Sequence, residues 1–122
     1  MKKLSLLSLI FISLLTFGQV PQGINYQAVV RNNTGAVVTN TTVSIKFEIH
    51  DGTPTGTIVF QETHSVQTNQ FGLATLVIGS VGNLTTVNWG DNQSKYLQVE
   101  MDPTGGINYT DMGTTQLVVS IR

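Results

Sequence analysis

The 122-residue chain has no cysteine, one tryptophan, three prolines and few charges of either sign. Without cysteine there is no disulfide, no thiolate-bound zinc and no thiol nucleophile. Stability, ordinarily ~5–15 kcal/mol for a domain, must then come from packing and hydrogen bonds alone. Basic residues are equally sparse. After Lys2 and Lys3 they are Arg31, Lys46, Lys95 and Arg122, against seven acidic residues. Four scattered cations form no basic patch, which argues against nucleic acid and against an electrostatic membrane surface as partners. No segment sustains a 3.6-residue apolar period, so helices are not expected.

The apolar content begins with Leu4 to Phe17, directly after the two lysines. A charged start, a short apolar run and small residues at Thr16 and Gly18 match an export signal cleaved between Gly18 and Gln19. The run is too short for a comfortable membrane span, which takes roughly 20 residues. The expected organisation is therefore a signal peptide over 1–18 and one domain over 19–122, in the periplasm, at the cell surface or outside the cell. No membrane contact is expected after cleavage.

Within the domain, apolar residues alternate with polar ones. Ile24, Tyr26, Ala28 and Val30 share one strand face, and Val43, Ile45, Phe47 and Ile49 share another. Ile58, Phe60, Glu62, His64 and Val66 form a third set, and Tyr96, Gln98 and Glu100 oppose Leu97, Val99 and Met101 in a fourth. Thr68 to Gly79 reads as a tight turn feeding a strand apolar on both faces, Phe71, Leu73, Thr75 and Val77 on one and Gly72, Ala74, Leu76 and Ile78 on the other. This stretch is expected to be central and covered on both sides. Ser80 to Gln93 lacks strand periodicity and reads as a crossover between sheets pinned by Leu84, Val87 and Trp89. Short strands every 8–15 residues between Gly, Asn and Pro predict a single antiparallel β-sandwich of about seven strands, with a closed barrel as the alternative.

Chemistry-bearing residues are few. His50 beside Asp51, and His64 with Glu62, supply types suited to zinc or general-base work, but only if both histidines face one cleft. Solvent-facing strand histidines are the simpler expectation. Serine, histidine and aspartate are present without a nucleophile-elbow motif. Asp51, Asp91 and Asp102 lie in Gly- and Asn-rich loops that lack a calcium-loop spacing, so turn chemistry accounts for them. Tyr26, Trp89, Tyr96 and Tyr109 could form an aromatic platform for sugar rings, with Trp89, Tyr96 and Tyr109 as its leading members. No catalytic residue, metal site or cofactor is assigned.

Several runs carry a resemblance: Gln22-Gly23-Ile24-Asn25-Tyr26-Gln27-Ala28-Val29-Val30-Arg31, Gln61-Glu62-Thr63-His64 with Thr68-Asn69-Gln70-Phe71-Gly72-Leu73, Tyr96-Leu97-Gln98-Val99-Glu100, and Gly113-Thr114-Thr115-Gln116-Leu117. In this order they resemble the N-terminal domain of secreted Bacteroidetes surface proteins, some described as collagen-like or tail-fibre-like. A looser similarity to transthyretin-like and immunoglobulin-like sandwiches supports the fold. The resemblance implies a module that precedes a stalk, and a chain cut short at Arg122. The expectation is a non-enzymatic, exported structural or interaction module meeting protein partners through strand edges. The alternative is a carbohydrate-binding sandwich that uses the surface aromatics.

Overall fold

The computed structural model describes residues 22–118. The expected signal peptide and its Gly18/Gln19 cleavage point lie outside the described residues, as does Arg122. Among the described residues six strands are formed: β1 (Ile24–Val29), β2 (Thr42–Asp51), β3 (Thr57–Gln67), β4 (Leu73–Ile78), β5 (Lys95–Asp102) and β6 (Thr110–Leu117). One 3-10 turn, Leu84–Thr86, interrupts the β4–β5 crossover. Arg31 and Val37 add an isolated antiparallel bridge. The architecture is all-β. One sheet has the order β3-β2-β5-β6 and the other is the β1-β4 pair, every pairing antiparallel.

The strand that organises these layers is β2. Its period-2 row Val43, Ile45, Phe47 and Ile49 is wholly buried, because β2 is flanked by β3 and β5 and faces the small sheet. The Phe47 ring joins the layers: it meets Tyr26 of β1 edge-on at 4.9 Å between centroids, and His64 of β3 at 5.6 Å. Such aromatic contacts add about 0.5–1.5 kcal/mol to the area they bury. Ala74 and Ile78 of β4 and Leu84 of the 3-10 turn complete this core.

The Thr68 to Gly79 stretch corrects one expectation. The turn is there, with the Asn69 side-chain oxygen accepting the Phe71 and Leu73 amides at 2.8 and 3.0 Å. Gly72 has φ +81, and a Cβ on it would sit 2.0 Å from Val37 Cγ1, so glycine is required at this corner between the sheets. Yet β4 is not central. Among the described residues it pairs only with β1, its inner residues Ala74 and Ile78 are buried, and Phe71 and Val77 on its other side are exposed. An apolar run has no term for the number of layers above it, which is why the period alone suggested cover on both sides.

Among the described residues the small sheet has two strands and the large one four, so the cover they give is lopsided. β6 is exposed over nearly its whole length, although Thr115 and Gly113 lie opposite the inward-facing Leu97 and Val99. An open cavity of about 420 Å³ remains there, lined by Tyr26, Leu97, Val99 and Met112 to Thr115.

Phe47→Ala should lower stability by about 3–5 kcal/mol, since the cavity opens where the two layers meet. A thermal melt of the variant that stays cooperative at an unchanged midpoint would show the core to be elsewhere.

Candidate functional site

Ionisable groups gather in three places, and strand phase decides which. On the inner side, Glu62 lies opposite Phe47 and His64 opposite Ile45, so both project into the interior rather than into solvent as expected of His64. The Glu62 carboxylate is tied down there. One oxygen accepts the Gly82 amide at 2.6 Å; the other accepts the Gly79 amide at 2.7 Å and contacts His64 Nε2. Burial alone would raise its pKa, but the Gly82 amide, His64 and the Gly79 amide outweigh it and hold the carboxyl below its ordinary value. Glu62 thereby fastens the end of β4 and the following loop to β3.

At one end of the sandwich Lys95, 4% exposed, points inward from β5. Its ammonium meets Asp51 and Asp91 at 2.7 Å each and the Gln93 carbonyl at 3.3 Å. Burial pulls its pKa down, while the hydrogen bonds and charges of the two aspartates prevail and raise it. Asp102 is turned onto its own loop, accepting the hydroxyl and amide of Thr104 and the amide of Asn108, which lowers its pKa. The three loop aspartates are thus engaged in ion pairing and turn formation, and among the described residues no group of three or more His, Asp or Glu is placed to hold a metal ion.

The outer face of the large sheet carries the third group. There His50 Nδ1 lies 2.8 Å from the Gly56 carbonyl oxygen and Nε2 lies 2.7 Å from Gln98 Oε1. Gln98 Nε2 donates to Glu100 at 3.4 Å, and Glu100 meets Lys46 at 3.2 Å. Glu48 sits between the two basic side chains, 3.7 Å from Lys46 and 3.9 Å from His50. The Tyr109 ring lies 5.0 Å from the Lys46 ammonium. Burial pulls Lys46 down, and the Glu100 contact lifts it above its usual range. The Gly56 carbonyl, ahead of the opposing effect of burial, raises His50.

These placements separate the sequence-derived candidates. His50 and His64 occupy adjacent strands but opposite sheet faces, so they cannot share a cleft. Both are buried, at 7% and 8% exposure, because the 52–56 turn and Gln98 roof one and the interior encloses the other. The three-aromatic platform is not assembled either. Trp89 is buried in the core, with its indole N–H donated to the Leu84 carbonyl at 2.8 Å. Tyr26 packs on Phe47, and only Tyr96 and Tyr109 remain toward the outer face. The role of Lys95 has no motif. That of Glu62 was foreshadowed by its phase, since it shares the apolar row with Phe60 and Val66.

The described residues therefore define an all-β, two-layer domain in which the three clusters of ionisable groups are paired within the structure. The chain belongs to the family described as a Domain of unknown function (DUF8740), matched over residues 25–115. No curated protein and no solved structure matches it.

Two outcomes follow from the inner clamp. Glu62→Ala should cost about 3–5 kcal/mol, as removing one member of a buried pair strands the other and frees two amides. Because the folded-state pKa of Glu62 is depressed, its contribution is complete above the ordinary value of about 4.3 and is lost as pH falls through the folded value. Urea unfolding from pH 6 down to pH 3 should show wild type losing stability more steeply than Glu62→Gln. Parallel curves would assign the acid sensitivity to other carboxylates.

Proposed function

We propose that this domain is a non-enzymatic structural or interaction module of an exported bacterial protein, meeting protein partners along its strand edges. The observation that carries this reading is the flank left open among the described residues: β6 is exposed over nearly its whole length, β1 has no described neighbour on its outer edge, and the cavity of about 420 Å³ lies between them. Unpaired strand edges with an apolar floor are suited to accepting another strand, main-chain hydrogen bonds giving affinity and alternate side-chain pockets giving selectivity. The apolar start of the chain after two lysines supports export. The alternative, sugar binding by stacking on Trp89, Tyr96 and Tyr109, loses its largest ring to the core.

The test is made in the native bacterium, with a photocrosslinking residue at Thr114 and an antibody against residues 19–122. The expected result is a crosslinked protein adduct in the exported fraction, abolished when Met112→Lys places a charge in the slot. A protein retained in the cytoplasm, or one forming no adduct, overturns the reading. Binding of a soluble polysaccharide with a change in tyrosine but not Trp89 fluorescence would favour a glycan at the outer face instead.

A further inference from the structure

The outer-face cluster holds more order than a solvated strand surface needs. Each member of the chain Gly56–His50–Gln98–Glu100–Lys46 has its hydrogen-bond direction set by the next. The Gly56 carbonyl can only accept, so His50 Nδ1 must carry hydrogen. At the far end the Glu100 carboxylate accepts from both the Gln98 amide nitrogen, at 3.4 Å, and the Lys46 ammonium, at 3.2 Å. That turns the Gln98 oxygen toward His50 Nε2, 2.7 Å away, so Nε2 must carry hydrogen as well. A ring donating from both nitrogens is an imidazolium.

We propose that this chain is a proton-operated switch, in which loss of one proton from His50 reverses the Gln98 side-chain amide and takes the Lys46, Glu48, His50 and Glu100 cluster from electrically balanced to net negative. Neutral His50 has a single N–H, so one of its two contacts must change partner. The Gly56 end cannot yield. Its amide donates to the Thr53 carbonyl at 3.0 Å, and the turn is so tight that a Cβ on Gly56 would sit 1.9 Å from the Asp51 carbonyl oxygen. Nδ1 therefore keeps its hydrogen and Nε2 becomes the acceptor. Gln98 then presents its NH₂ to His50 and its carbonyl to Glu100, which repels it and drives Glu100 closer to Lys46.

The surroundings set where this happens. Glu48 on β2 and Glu100 on β5 favour the cation, and Asp111 of β6 lies opposite Glu100. Lys46, beyond Glu48, opposes it. Tyr96 of β5 and Ile58 of β3 flank His50 by register. The 52–56 turn has no ionisable side chain, and Asp51 is engaged by Lys95. The balance, with the Gly56 carbonyl as the main cause, lies toward a raised His50 pKa. The stabilisation from this network is thus complete below about 6.5 and is lost as pH rises through the folded value.

Nitrogen NMR of the histidine rings in the full-length chain, titrated from pH 5 to pH 9, tests the proposal. The expected result is a His50 midpoint above about 6.5 and, past it, the Nδ1–H tautomer with an unprotonated Nε2. Gln98→Met, of similar volume and without an amide, should lower the midpoint by about one unit, as a hydrogen bond to a charged group is lost. Its amide spectrum and thermal melt report whether the fold is kept. Gln98→Glu should raise the midpoint and is the second variant should methionine disturb the sheet. An ordinary or depressed wild-type midpoint, the Nε2–H tautomer at high pH, or a midpoint indifferent to both folded variants would overturn it.

Discussion

Everything in this domain depends on the inward row of β2 being covered from three directions. Val43, Ile45, Phe47 and Ile49 gain neighbours from β3 on one side, β5 on the other and the small sheet above. Fully burying such side chains is worth roughly 1.5–3 kcal/mol each, and no disulfide supplements them. The Phe47 ring, standing between Tyr26 and His64, joins the two layers. Loosening that contact affects both sheets at once.

Polar groups complete what this small core cannot do alone. Glu62 projects among apolar neighbours and would be costly there unless fully engaged; the amides of Gly79 and Gly82 and the His64 ring meet that need. Lys95 does the same at one end with Asp51 and Asp91. Each pairing fixes a loop relative to a strand: 79–82 to β3 in the first case, 91–93 and the end of β2 to β5 in the second. Glu62 and Lys95 are thus placed where the crossover must be held.

Much of this was legible in the sequence, and the limits are physical. The rows Val43 to Ile49 and Ile24 to Ala28 face inward as their period requires, the 68–72 turn forms, and Trp89 does pin the crossover. Strand phase, however, says which residues share a side and not how many strands lie above it, so β4 looked central. The histidines looked exposed because imidazole commonly faces water, yet His64 shares its row with Phe60 and Val66. That row was the better guide. Nothing in a linear pattern joins Lys95 to Asp51, or His50 to Gln98, since those pairs arise from the β2–β5 register across more than 40 positions of chain. The aromatic platform failed for a related reason: Trp89 sits in a loop, but that loop folds inward.

The β2–β5 register also bears on the time course of folding. β2 can pair with β3 as soon as the intervening hairpin closes, but its other edge waits for residues 95–102, and the small sheet waits for β4 to return to β1. Contacts between distant positions carry a loop-closure cost before they return stabilisation, and topologies dominated by them fold in milliseconds to seconds. The β2–β3 hairpin can therefore form early, whereas closure of the two layers waits for residues far along the chain.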